Sequence, residues 1–339
     1  MMKEKKQNHS KKIVALVIII IVILILGVIV FAILNKDKEL LKKDENKKIE
    51  TSSSNDGIDT TWQNNVNYIL DENNKTLTLK EKELSNPDVY KGDVVIKKFA
   101  IIDGVEYETR FPNYCSNLFY QTEMTSFSME DIDTSNVNGI DSMFMGCFSL
   151  QKIDLSNFDT SNVIDMDQAF YECTQLKSLD LSSFDVENVT SMLSMFSGGF
   201  NADLNLSGWK IGRKDVVNNT SYGFALVFFG NQSKNIIAKN WDLSSAGDLT
   251  GMFAGCSKLE TLDISGWNLG TEIVAHSFFD DCTSLKNIKG IDEWRLSNFN
   301  LDSYPFATIC HNCTSLDNKL TGGIWNKGTW SDGTFIPLI

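Results

Sequence analysis

A chain of 339 residues with 44 acids against 31 lysines and arginines, a net charge of -13, is a poor partner for nucleic acid, where clustered cations must neutralise phosphates. The charge is uneven: residues 1–49 hold eleven lysines and five acids, +6, which leaves -19 on residues 50–339. At 339 residues the chain is long enough for two ordinary domains, but a repeat array needs no such division.

In chain order, residues 1–12 form a basic tail and Ile13 to Leu34 an unbroken apolar run flanked by Lys11, Lys12 and Lys36. At about 1.5 Å per residue a helix of that length spans the roughly 30 Å hydrocarbon core. The run ends in Phe31, Ala32, Ile33 and Leu34, a poor cleavage site, so it reads as an uncleaved single-pass signal anchor. Lysines stand on both flanks, but a short basic tail stays in the cytoplasm and a long domain is translocated whatever its charge. The remainder is therefore expected outside the cell membrane. Residues 35–60, mostly Lys, Glu, Asp, Asn, Ser and Thr, have little to bury and read as a disordered stalk.

Strand patterns begin at Trp62. Val66, Tyr68 and Leu70 alternate, Asp71 to Lys75 turns, and Thr76 to Leu79 returns. Val94 to Ile102 and Val105 to Tyr107 flank Asp103-Gly104, a two-residue hairpin signal. Residues 61–112 are expected as a small β cap over the N-terminal end of a repeat array.

From 113 to 320 the chain repeats itself. Leu150 and Leu176, Leu155 and Leu181, Val163 and Val189, Met166 and Met192, and Phe170 and Phe196 are each 26 apart, the mark of a stacked-coil solenoid. A bulky rung recurs at Ile132, Phe158, Phe184, Trp209, Trp241, Trp267 and Trp294. Twelve residues after a rung comes a phenylalanine, at 144, 170, 196, 253, 279 and 306, and fifteen after it a small residue, Cys147, Cys173, Gly199, Cys256 or Cys282. In the Trp209 coil an insertion at Ile211–Phe229 pushes Phe228 and Phe229 later. Ile153-Asp154-Leu155, Leu179-Asp180-Leu181, Leu204-Asn205-Leu206 and Leu262-Asp263-Ile264 alternate like strands with the middle residue facing out. Asp159-Thr160-Ser161-Asn162 then turns the chain and caps a helix start, and Val163, Met166, Phe170 and Cys173 come next at spacings of three and four, one face of a short helical return. The expected fold is an α/β repeat solenoid, leucine-rich-repeat-like, of about 26-residue coils with a parallel sheet, preceded by one transmembrane helix and a small β cap. Residues 321–339, with Trp325 and Trp330, read as a C-terminal cap.

The repeat L-x-x-L-D-L-S-x-F-D-T-S-N-V-x-x-M-x-x-M-F-x-x-C resembles the BspA-type leucine-rich-repeat surface proteins of bacteria. The likeness is carried by 133–200, with Asp159 to Val163 and Met192 to Phe196, and by 249–288, with Met252 to Cys256; it fades between 201 and 248. It implies a cell-surface interaction protein, often an adhesin, whose ligand is not carried over.

Chemical constellations point away from catalysis. Five of the seven cysteines, Cys147, Cys173, Cys256, Cys282 and Cys313, fall on or near one column, where a small buried hydrophobe suits a tight turn. Cys310-His311-Asn312-Cys313 has the spacing of a redox pair, a local disulfide or half a metal site, but no second pair completes a zinc site. His9, His276 and His311 suggest no catalytic set by spacing, and no phosphate loop follows a strand. No cofactor, metal or catalytic residue is assigned, and the oligomeric state is left open. The expected partner is an extracellular protein or glycan, received by a strip of outward strand residues: Lys152, Asp154 and Ser156, then Ser178, Asp180 and Ser182, then Asn205 and Asp263. The plainer account of the strip is local hydrogen bonding between its acids, serines and backbone N–H groups. The alternative function is a cell-envelope enzyme or carbohydrate-active accessory module, which needs acids or a nucleophile gathered from several coils into one cleft.

Overall fold

The computed structural model describes residues 62–82, 89–211, 223–244, 246–271, 273–295, 309–316, 328–331 and 334–337. The tail 1–12, the span 13–34 and the stalk 35–60 lie outside them. Among the described residues no helix is long and apolar enough to cross a membrane.

The chain enters through a single 3-10 turn, Trp62–Asn65, and the hairpin β1 (Asn67–Asp71) and β2 (Thr76–Lys80). After β3 (Gly92–Ile96), strands β4 (Phe99–Ile102) and β5 (Val105–Arg110) pair antiparallel. Their link, Asp103 and Gly104, has φ of 52° and 76°, the two positive values that a type I′ turn demands. Strands β1, β2, β4 and β5 form a mixed sheet ordered β1-β2-β5-β4. The 3-10 turn covers one strand edge and ties down the lead-in to β3. Trp62 Nε1 and Gln63 Nε2 donate to the carbonyls of Phe99 and Ile101 on the edge of β4, at 3.2 and 3.0 Å. The Asn65 amide pairs with the N–H and C=O of Lys91 at the head of β3. Edges covered in this way cannot template pairing with another chain.

Strand β3 falls inside the stretch expected as a cap, yet it pairs in parallel with β6 (Met124–Met129), which pairs with β7 (Lys152–Ile153). The solenoid sheet therefore starts at Gly92. A second parallel sheet joins β8 (Leu204–Asn205), β9 (Asn235–Ile237), β11 (Thr261–Asp263) and β13 (Asn287–Lys289), while β10 (Asp242–Leu243) and β12 (Asn268–Leu269) pair just after the Trp241 and Trp267 rungs. The alternation at Leu179-Asp180-Leu181 predicts a strand, but none forms there and the sheet divides. The break falls where the Asp154 and Asp180 carboxylates stand on successive coils, and like charges directly opposite weaken strand pairing.

The expected helical return is absent as well: among the described residues only two 3-10 turns are helical. A ladder of β-turns takes its place. In the coil of Phe170, the N–H groups of Met166, Gln168, Phe170 and Glu172 donate to the carbonyls of Ser191, Leu193, Met195 and Ser197 one coil on, at 2.8 to 3.0 Å. Between them, Ala169, Tyr171 and Cys173 bond three residues back within their own coil. Alternation is possible because Gln168 and Glu172 are left-handed, with φ of 56° and 60°, as are Ser142 and Gly146, Ser194 and Gly198, Gly251 and Gly255, and Ser277 and Asp281. A helix satisfies its N–H groups inside itself and leaves none to tie coil to coil. The apolar spacing of three and four fits both arrangements, and Val163, Met166, Phe170 and Cys173 are all fully buried.

The D-T-S-N run belongs to the same stitching and does not cap a helix. Asp159 accepts the Ser161 N–H at 2.8 Å. Buried Thr160 donates to the carbonyl of Asp185 and accepts its N–H, both at 2.8 Å, and Asn162 Nδ2 reaches back to Ser135 O at 2.9 Å.

Aromatic columns fill the space between strands and turns. Phe119, Phe144, Phe170, Phe196, Phe228, Phe253 and Phe279 stack at centroid distances of 4.9 to 5.9 Å, and Trp209, Trp241, Trp267 and Trp294 run beside them. Phe228 keeps the column despite the insertion before it. The thiols of Cys147, Cys173, Cys256 and Cys282, all fully buried, each donate to the carbonyl of the column phenylalanine one coil back, at 3.0 or 3.1 Å. Burial pushes the Cys147 thiol up to about 11 and the Cys173 and Cys282 thiols well above their ordinary value, so the donor hydrogen stays in place. The last rung differs from expectation. Phe306 lies outside the described residues, and Phe279 donates to Ile309 O as Phe253 does to Phe278 O. That register puts Cys310 in the phenylalanine column.

At the C-terminal end, β14 (Gly328–Ser331) and β15 (Thr334–Pro337) form an antiparallel hairpin.

Candidate functional site

The strand face carries the expected strip in two chemically different parts. Asp154 Oδ1 accepts the Ser156 N–H at 3.0 Å and its hydroxyl at 2.7 Å. Asp180 Oδ1 accepts the Ser182 N–H at 2.9 Å, and Asn205 Oδ1 accepts the Ser207 N–H and hydroxyl at 3.2 and 2.6 Å. Each is an Asx turn that sets the corner leaving the strand. Bonds from the Ser156 N–H and hydroxyl hold the Asp154 carboxyl below its ordinary value, and Ser182 does the same for Asp180. Asp154, Asp180 and Asn205 are exposed, as are Lys152, Ser156, Ser178 and Ser182.

Asp263 departs from this pattern: it is buried. Burial pulls its carboxyl up, but Ser265, through its hydroxyl and N–H, and Lys239 outweigh that and hold it low. Lys239 and Lys289 reach Asp263 Oδ2 at 3.2 and 3.7 Å. The face is thus anionic around Asp154 and Asp180 and neutralised around Asp263. Sequence reading missed Asp93, which accepts from Ser126 and Thr125 hydroxyls at 2.6 and 3.1 Å. Asp203, in the outer strand column with Lys152 and Ser178, takes the N–H groups of Lys234 and Asn235 at 3.0 and 2.9 Å. Both sets of bonds join neighbouring coils, and only an alignment of coils in space reveals them.

A second acidic group stands on the turn ladder. Asp141 and Asp167 share a register on adjacent coils, with Asp165 two residues before Asp167. Ser116 donates to Asp141, and Ser191 Oγ and the Leu193 N–H donate to Asp167 Oδ1. Burial pushes the Asp167 carboxyl up to about 6, with the charges of Asp165 and Asp141 adding to it. The folded chain therefore holds this proton more tightly than the unfolded chain, so the stability it confers is full below about 3.8 and is lost as pH rises towards 6. Asp167→Asn keeps the acceptor oxygen and removes the charge. It should stabilise the fold by about 1–2 kcal/mol at pH 7.5, allowing for partial exposure, and by nothing at pH 4. Urea melts at the two pH values check this; an equal effect at both would assign the gain to packing rather than charge. Among the described residues no group of three or more His, Cys, Asp or Glu is placed to hold a metal ion.

Parallel strands on one side, a ladder of turns on the other and columns of rings and thiols between them define a leucine-rich-repeat-like β-solenoid. The chain belongs to the family described as "Mycoplasma protein of unknown function, DUF285", whose profile matches residues 113–232 and 223–322. Both stretches that carry the BspA-type repeat fall inside these matches. No curated protein matches the chain. Among solved structures, similarity is found to a leucine-rich repeat protein of T. pallidum (18% identity, TM-score 0.35, 66% of this chain and 88% of that one). A leucine-rich cell surface protein of Faecalibacterium prausnitzii gives 13% identity and a TM-score of 0.28 over 79% and 82% of the two chains. A leucine-rich repeat protein of Bacteroides ovatus gives 17% and 0.24 over 74% and 79%.

Proposed function

We propose that this protein is a cell-surface binding protein, adhesin-like, held in the membrane by Ile13 to Leu34 and receiving an extracellular protein or glycan on the strand face of its solenoid. The observation that carries this reading is the exposed strip of Asp154, Asp180 and Asn205 with Ser156 and Ser182. Its carboxyls are held low by serine N–H and hydroxyl bonds. They stay ionised at neutral pH, which suits recognition of cationic or hydroxyl-bearing groups and not proton donation, so binding is favoured over the enzyme alternative.

The test uses the compact unit Asp59–Ile339, screened against matrix proteins and glycans. For any ligand found, Asp154→Asn with Asp180→Asn preserves side-chain shape and should weaken binding by about tenfold or more, chiefly at low salt. Unchanged affinity in a correctly folded double variant would remove the strip from consideration.

A further inference from the structure

The phenylalanine column ends in a cysteine, and its partner three residues on is a cysteine of the thiol column. In the coils of Phe144, Phe170, Phe253 and Phe279 these two places hold a phenylalanine and a cysteine, side by side in one β-turn and both buried. With Cys310 in the first place, two sulfurs meet: Cys310 and Cys313 are bridged, their Cα atoms 6.2 Å apart, inside the range that disulfides use. The turn is held independently of the bridge. His311 donates its N–H to Asp280 Oδ1 at 2.7 Å, Asn312 Nδ2 donates to Asp281 Oδ1 at 2.8 Å, and Asn312 is left-handed at φ 56°, as Asp281 is in the coil before. Cys313 Sγ lies 2.9 Å from Phe279 O, the place where the other column thiols donate.

We propose that Cys310 and Cys313 are a reversible redox pair, a modification site for small-molecule disulfides that switches this coil between two closures. In the reduced form the Cys313 thiol donates to Phe279 O like its column neighbours. In the oxidised form the sulfur has no hydrogen to donate, and the covalent bridge replaces that contact. Oxidation proceeds by thiol–disulfide exchange. One cysteine thiolate attacks the reagent disulfide and expels one thiolate; the second cysteine thiolate then attacks the mixed disulfide and expels the other. Each cysteine gives up a proton, and two electrons pass to the reagent, which leaves as two thiols. Both sulfurs are buried, so exchange needs this coil to open locally and its rate reports that opening. Which closure prevails is set by the thiol–disulfide poise of the compartment the coils face.

The experiment treats the full chain in detergent with oxidised glutathione or with dithiothreitol, then alkylates it in denaturant and weighs it. Five cysteines are free in the bridged form, so five alkyl groups are expected after oxidation and seven after reduction. Cys310→Ser, which cannot close the bridge, should show six after reduction and, after oxidation, either six or five with one glutathione retained on Cys313. Native hydrogen exchange over 279–295 and 309–316 should speed up by about tenfold on reduction. Cys310→Phe, which restores the ring of the other coils, should make exchange indifferent to redox state. Seven alkyl groups after oxidation, or exchange unchanged by reduction in a bridged protein, would overturn the proposal.

Discussion

Phe170→Ala is expected to destabilise the solenoid by about 3–5 kcal/mol, the range for emptying a buried aromatic site. Phe170 is fully buried and lies between Phe144 and Phe196, at centroid distances of 5.6 and 5.9 Å and nearly parallel to both. A coil in a repeat array touches only its neighbours, so each interface contributes separately. Removing one ring therefore weakens two interfaces at once. The surroundings cannot collapse into the space, because Phe170, Met166 and Glu172 are pinned to the next coil by main-chain bonds. Phe148, almost half exposed, is the control, and its alanine variant should move stability by no more than about 0.5 kcal/mol. Thermal and urea melts of both variants check the pair. A melting temperature within a degree of the parent for Phe170→Ala would show that the column is not the core.

How much of this could be read from the chain depends on which signal each feature leaves. The aromatic and thiol columns were legible because a buried ring or thiol recurs at nearly fixed spacing whatever the backbone does between. The type I′ hairpin at Asp103-Gly104 was legible because few dipeptides accept two positive φ values. The turn ladder was not. Val163, Met166, Phe170 and Cys173 have the spacing of a helix face, and left-handed positions such as Gln168 and Glu172 are held by non-glycine residues, which hides the alternation. A usable signal lay in Gly146, Gly198 and Gly255, each one residue before the small column and each left-handed, since glycine is unfavourable inside a helix. The displaced last rung was missed because an insertion before Cys310 breaks the count, and only the bond from Phe279 to Ile309 restores it. In the candidate strip, the alternation that exposes Asp154 and Asp180 could be read locally. The burial of Asp263 under Lys239 and Lys289 could not, since those lysines come from neighbouring coils.

Gly290→Ala should be about as damaging as loss of a column ring, by a different route. Gly290 precedes the 3-10 turn Ile291–Glu293 and is left-handed, with φ 88° and ψ -5°. A non-glycine residue held there loses roughly 1–2 kcal/mol to contact between its Cβ and its own backbone. The larger effect is steric. A methyl group at this position would sit 2.5 Å from Ser265 Cα, 2.6 Å from Ser265 N and 2.8 Å from Ile264 C. Those atoms are main chain of the preceding coil and cannot swing aside as a side chain can. They are also fixed, because β11 pairs with β13 in register and Ile264 donates its N–H to Lys289 O at 3.0 Å. Relief requires the two coils to separate locally, which breaks that bond and loosens the Lys289 to Asp263 contact. The expected total is about 3–5 kcal/mol. Gly208→Ala is the matched control, since a methyl group there meets nothing within 4 Å, and its stability should stay within about 0.5 kcal/mol of the parent. Urea melts of the two variants give the comparison, and equal stabilities would show that the coils at Gly290 are not in close main-chain contact.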